Sequence, residues 1–277
     1  MKPEVRTRFL YMPTDEMQRK NMHDVYERYK LNNVIAGVDG CHFPFFGKPH
    51  GVPIGRDPLR FLNRKGFYSI NEQVVGGYDR RIYDINLRAP GSYHDATTWL
   101  LAEPKAWFET RFPQRYVLGD SAYAQSDVLM TPYSEPESRQ DDNKCLYNIR
   151  HSGSRVEMTE NIYGMLKRRF PIVKCLRVDL GNAMNIITCT AILHNMALDF
   201  KDDLPIHDHP DYVADPRFED VQVQVINQVP INQRRLRAQL ARDNWRHAMD
   251  PNPTEKERKK MARHRVDAAV RQRQRRR

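Results

Sequence analysis

The sequence predicts an α/β fold: a mixed sheet of three antiparallel strands followed by parallel ones, flanked by helices. Three observations carry this prediction. Strand-length runs, uncharged or alternating, occur at 34–38, 67–75, 82–87 and 116–120, and a GGYDR turn joins the second and third as a hairpin. Longer segments of helical spacing precede, separate and follow them. Hydrophobic residues make up 40% of the 277, which is enough for a real core.

At the N-terminus, Thr14 followed by Asp15 and Glu16 marks a helix start. Met17, Met22, Val25, Tyr26 and Tyr29 continue it at helical spacing, so residues 1–32 read as one helix. In NVIAGVDGCHF, Asn33 to Phe43, an uncharged run with Val34, Ile35 and Val38 delivers one carboxylate, Asp39, to a Gly-flanked end. A lone acid there is ordinarily a turn former. The Pro/Gly-rich stretch 44–58 cannot hold regular structure for long, and His42, Lys48 and His50 read as solvated. After the hairpin, Pro90-Gly91-Ser92 ends the third strand, and Asp95 can cap a helical run through Phe108. YVLGDSAY, Tyr116 to Tyr123, repeats the first arrangement with Asp120 at the end of a short apolar run.

Beyond it the pattern predicts a short helix over 121–130, an exposed loop over 131–143, a fifth strand over 144–150 and a helix over 151–170. On that helix Glu157 and Glu160 lie three apart, hence on one side. The uncharged run 180–198 is nearly membrane length, but its Asn, Thr and His residues mark it as the buried helix of a soluble protein. Residues 201–230 form an acidic, Pro-interrupted linker, in which His207 and His209 read as solvated. Residues 231–277 form a C-terminal helix and a basic tail, leaving 33–200 as the catalytic-size domain.

The net charge of +10 is concentrated at the end: from Glu255 to Arg277 eleven Lys/Arg stand against three acids. With almost no apolar anchors, that tail is expected to be mobile unless a partner orders it, and to lend salt-sensitive affinity for a polyanion or to act as a nuclear import signal. Cys41, Cys145, Cys175 and Cys189 have no metal-ligand spacing, and three of them read as small core residues. With no signal peptide at 1–10, an intracellular, reducing location follows.

Two strand-end aspartates and a helix-borne glutamate can together hold two divalent cations, because hard Mg²⁺ or Mn²⁺ prefers carboxylate oxygen. The order Asp on strand one, Asp on strand four, Glu on a late helix fits an RNase H-like fold. Seven words in order then resemble the DDE-type transposase family of PIF/Harbinger elements, including the Harbinger transposase-derived nucleases. They are GVDGCHFP (37–44), NRKGFYSIN (63–71), APGSYHDA (89–96), LGDSAY (118–123), LMTPY (129–133), ENIYGMLKRRF (160–170) and AILHNMA (191–197).

The resemblance implies a metal-dependent DNA nuclease core whose acidic triad is Asp39, Asp120 and the glutamate four residues before Gly164, which is Glu160. Glu157 remains a rival. Cys41 stands where the family usually has Thr. His94 and Asp95 match a family word, with Asp95 either supporting the site or capping its helix. Lys167, Arg168, Arg169, Arg64 and Lys65 are placed to meet phosphates. Relatives carry an upstream helix-turn-helix, so the resemblance implies a core that takes its DNA reader from a separate DNA-binding protein, in the nucleus or also the cytoplasm. It implies no membrane role and leaves the oligomeric state open. The alternatives are a domesticated, catalytically silent module that binds DNA or a protein, and, more remotely, a basic-tailed structural protein.

Overall fold

The computed structural model describes residues 3–54, 56–100, 102–111, 114–202 and 252–264. Its centre is β1 (Val34–Pro44), whose first five residues are buried, as the uncharged run requires of a strand covered on both faces. Antiparallel β2 (Ser69–Gly76) and β3 (Ile82–Pro90) extend the sheet on one side. Parallel β4 (Tyr116–Leu118) and β5 (Leu129–Met130) extend it on the other, giving the order β3-β2-β1-β4-β5. This is the expected RNase H-like mixed sheet.

Helices cover both faces. α1 (Pro3–Phe9) and α2 (Asp15–Tyr29) replace the single N-terminal helix, and Thr14 caps α2 by accepting Met17 N–H at 3.3 Å. α3 (Asp95–Leu100) and α4 (Glu103–Arg111) follow β3. Val38, Val75, Trp99, Phe108 and Val117 fill the core on that side.

Three local expectations fail downstream of β4. Residues 121–130 are not a helix but a loop that ends in β5. α5 (Glu135–Gln140) occupies part of the expected loop, with Ser134 and Glu137 forming a capping box at its start. The expected fifth strand at 144–150 belongs to α6 (Asp142–Met158), started by Asp141, whose side chain accepts from Asn143 and Lys144 N–H. Its Tyr147 and Ile149 point inward at helical spacing with Cys145 and Leu146, a short apolar run whose period does not separate strand from helix.

The predicted helix over 151–170 is two. α6 stops at Thr159, whose hydroxyl donates to Arg155 C=O at 2.9 Å, and α7 (Glu160–Arg169) leaves in a new direction. Gly76 makes room for the junction: a Cβ there would stand 2.4 Å from Met158 O and 2.3 Å from Ile162 Cδ1. α7 and α8 (Leu180–Asp199) then cover the other sheet face, packing Ile162, Tyr163, Leu166, Ile187 and Ala191 on Phe43, Ile70 and Val74. Each such aliphatic or aromatic side chain contributes about 1.5–3 kcal/mol by burial.

The AILHNMA word has a structural explanation. Asn195 accepts Ile82 N–H at 2.9 Å and donates to Ile82 O and Phe9 O at 2.7 Å each, while His194 Nε2 meets Arg80 O at 2.9 Å. α8 thus satisfies the backbone of the exposed sheet edge. Among the described residues no helix is long and apolar enough to cross a membrane.

β2 is buried along its whole length, although its sequence alternates as if half exposed. Two of its polar side chains find partners inside: Asn71 donates to Tyr93 O and Asp95 Oδ1, and Gln73 to Asp95 O and Tyr123 Oη. Of the four cysteines only Cys145 is fully buried; Cys175 and Cys189 are exposed rather than in the core. The possible ligands His207 and His209 and the expected helix at 231–248 lie outside the described residues.

Candidate active site

β1 and β4 run parallel with Gly37 opposite Leu118, so Asp39 and Asp120 each stand two residues past the same pair, on neighbouring strands. Asp39 Oδ1 accepts its neighbour Gly40 N–H at 2.9 Å, and Asp120 Oδ1 accepts Ala122 N–H at 2.8 Å. Asp95, the first residue of α3, approaches from the opposite sheet face. Its Oδ1 takes the Asn71 amide at 2.7 Å and lies 2.1 Å from where a Cβ on residue 40 would be, so any larger residue at Gly40 would displace the Asp95 carboxylate. The carboxylate of Asp95 therefore belongs to the acid cluster, tied to β1 and β2.

Glu160 opens α7 and is half exposed. The break at Thr159 turns it so that Arg155, on α6, reaches both acids: Nη1 donates to Asp39 Oδ2 and Nη2 to Glu160 Oε1, each at 2.8 Å. Five residues apart on one uninterrupted helix, Arg155 and Glu160 would not face each other. Glu157, the rival acid, points elsewhere. It accepts from Asn161 at 2.7 Å and faces Arg28 and Arg80, each at 3.8 Å.

Burial pushes the Asp39 carboxyl up to about 7, opposed by Arg155 and reinforced by the charges of Asp120 and Asp95. Burial likewise raises Asp95, against the bond from Asn71, with Asp120 adding to the rise and Arg64 opposing it. Crowded carboxylates of this kind are stabilised by a cation. The donor set, hard oxygens at one sheet edge, suits Mg²⁺ or Mn²⁺. Among the described residues, however, no three His, Cys, Asp or Glu side chains form a ready cage for an ion. Arg155 stands between two of the acids.

Three nearby side chains were not read as site residues from sequence. Arg155 carries no local signal, because its meaning depends on the helix break. Tyr163 is buried on α7 and places its hydroxyl 3.1 Å from Asp39 O and 3.3 Å from Glu72 O, fixing the backbone under the acid. Glu72, opposite Cys41 in the β1–β2 register, is wholly buried with neither carboxyl oxygen hydrogen-bonded.

The expectation that the basic end of α7 meets phosphates is corrected in part. Lys167 turns inward, donating to Cys41 Sγ at 2.8 Å and lying over the Phe43 ring at 5.3 Å. Arg169 pairs with Asp202, donating to its backbone carbonyl at 2.7 Å. Arg64, by contrast, is close enough to act on Asp95.

Residues 38–195, more than half of the chain, match the model of the family described as DDE superfamily endonuclease. The chain belongs to that family. Within it, proteins named "Putative nuclease HARBI1" are similar: those of Rattus norvegicus and Mus musculus are 28% identical over 202 and 203 residues, and that of Homo sapiens 26% over 203. Each comparison covers 70% of this DDE-family chain and 54% of the relative. The chain therefore spans about half the length of the curated relatives it matches. No solved structure matches. The Harbinger resemblance read from the seven words agrees with these relatives, and the family description supports a nuclease core.

Proposed function

We propose that this DDE-family chain is the cleavage core of a Harbinger-type, divalent-metal-dependent DNA endonuclease, in which Asp39, Asp120 and Glu160 hold Mg²⁺ or Mn²⁺. What supports this reading is that Asp39 on β1 and Asp120 just past β4 share one end of the sheet, and that Arg155 bridges Asp39 to Glu160 on α7. Held by these carboxylates, two divalent cations would supply Lewis-acid activation of a water or 3′ hydroxyl and charge stabilisation for the leaving oxygen of the phosphodiester.

The chain's own residues prepare that site. Tyr163 and the β1–β2 register hold Asp39 in place, and Asn71 with Gly40 holds Asp95 beside it, able to steady the cluster from behind. To hold a cation Asp39 would have to be deprotonated, its carboxyl being raised to about 7 by burial. Arg64 offers a cation to the phosphate beside Asp95. DNA is the substrate, a separate DNA-binding protein supplies sequence reading, and the nucleus is the working compartment. Supercoiled plasmid incubated with the full chain should be nicked in Mg²⁺ or Mn²⁺ and left intact in EDTA; no nicking under any divalent cation overturns the proposal.

One observation favours the catalytically silent alternative: Arg155 already neutralises two of the acids. Arg155→Gln separates the readings. Without Arg155, the partly buried Asp39 should keep its proton to higher pH, and the fold should lose up to about 1.4 kcal/mol in EDTA at pH 8, where the ion pair is otherwise formed. Millimolar Mn²⁺ should restore much of that stability by mass action, with calorimetric heat that depends on the acids. A silent module shows the loss in thermal melts without rescue by metal.

A further inference from the structure

Residues 255–264 form a helix that starts on a capping box: Thr254 N–H donates to Glu257 Oε2 at 2.7 Å, and Glu257 N–H to Thr254 Oγ1 at 3.3 Å. Contrary to the expectation of a tail without anchors, this helix is docked. Arg150 on α6, 1% exposed, donates through Nε to Glu257 Oε1 at 2.8 Å, and through Nη2 to Glu257 Oε2 at 3.3 Å and Asn252 O at 3.0 Å. Such two-pronged arginine–carboxylate pairing fixes orientation as well as position. One turn on, Met261 is buried among Val25, Val34, Leu146 and Tyr147. Burial would raise the Glu257 carboxyl, but Arg150 and the Thr254 donors outweigh it and hold the group below its ordinary range.

Glu257 and Met261 share the inward side, so Lys256, Lys259 and Arg263 point outward with Arg258 at the flank, all exposed. Lys259 shares an exposed ion pair with Glu255 at 2.7 Å, an interaction too solvated to withhold it from a phosphate. α6 thus carries two arginines with different tasks. Arg155 meets the acids, and Arg150, five residues earlier, clamps the basic helix about 7.5 Å back along the axis and about 140° round it, across one helix diameter. That offset is short against the roughly 34 Å of one duplex turn.

We propose that helix 255–264 is a fixed rail for the phosphate backbone of duplex DNA, locked to the nuclease core by Arg150, so that DNA engaged at the acids is gripped alongside. The inference rests on the DNA reading above. Its test is the anisotropy of a labelled duplex with the full chain carrying Asp120→Asn, without divalent metal, over a salt series.

Neutralising Lys256, Lys259 and Arg263 together to Gln should weaken binding at least tenfold and lower the salt slope by about two to three. Glu257→Lys, which sets a cation against buried Arg150 and undocks the helix, should also weaken binding although it makes the chain more positive. Unchanged affinity in the triple variant assigns these cations to another partner and overturns the inference. Equal or tighter binding by Glu257→Lys, with thermal melting showing an intact core, reduces the segment to a mobile tail and overturns it too. Duplex binding through the rail without any nicking would leave this inference standing and remove the nuclease reading. Nicking indifferent to the triple variant at every salt concentration would do the reverse.

Discussion

Asp120→Asn should reduce metal-dependent nicking by about a thousandfold or more, and Asp39→Asn by at least as much. The estimate follows from the task proposed for them. A correctly held cation supplies several kcal/mol of transition-state stabilisation, and each 1.36 kcal/mol is tenfold in rate. An amide keeps the shape of the carboxyl and offers one weak oxygen in place of an anion. Among the described residues the Asp120 side chain accepts Ala122 N–H at 2.8 Å within its own turn, a bond that Asn can also accept, so the fold should survive.

Asp39 adds a pH signature. Its carboxyl lies near 7 because burial and the charges of Asp120 and Asp95 outweigh Arg155. Below that value proton and cation compete for the same oxygens, so apparent Mg²⁺ affinity should climb about tenfold per pH unit up to pH 7 and level off above it. A calorimetric titration between pH 5.5 and 8.5 reads the climb directly. A flat profile, or nicking by Asp120→Asn equal to the parent, removes these acids from the chemistry.

The second large effect concerns stability. Glu72 lies on β2 with no protein hydrogen bond at either carboxyl oxygen, and burial pushes it to about 8 despite nearby Lys167. A carboxyl raised in the folded state binds its proton more tightly there than in the unfolded chain. Its contribution is therefore fully present below the ordinary value of 4.5 and is lost as the pH rises through about 8.

Glu72→Gln should match the parent near pH 4.5 and become progressively more stable than it above that, by a few kcal/mol at pH 8, since each pKa unit is worth 1.36 kcal/mol. Denaturant unfolding at pH 5 and pH 8 measures the difference. If Lys167 instead makes Glu72 a net asset as an anion, the substitution destabilises at pH 8, and the isolated-carboxyl account fails.

Those two acids mark how far the sequence could be read. Asp39 and Asp120 were visible because each follows an uncharged apolar run beside glycine, although Asp39 stands in mid-strand, with β1 continuing to Pro44, rather than at the expected strand end. Glu160 was visible, and preferred to Glu157, only through the GMLKRRF word; hidden from the sequence was the turn at Thr159, which sends one glutamate toward Arg155 and the other toward Arg28 and Arg80. Glu72 was hidden because alternation along β2 promised an exposed face that α7 in fact covers. The stretch 144–150 was misread for a related reason: a short apolar run has no period long enough to choose between strand and helix.

From its residues alone the chain determined the central strand, the hairpin, the order of the acids and the family words, all of which local spacing encodes. Tertiary structure decided the rest. It broke the helix so that Arg155 joins Asp39, 116 residues away, to Glu160. It also folded a basic tail back so that Glu257 meets Arg150, 107 residues away. Periodicity reports which side of an element is buried. It is silent on which charge from elsewhere in the chain will be waiting there.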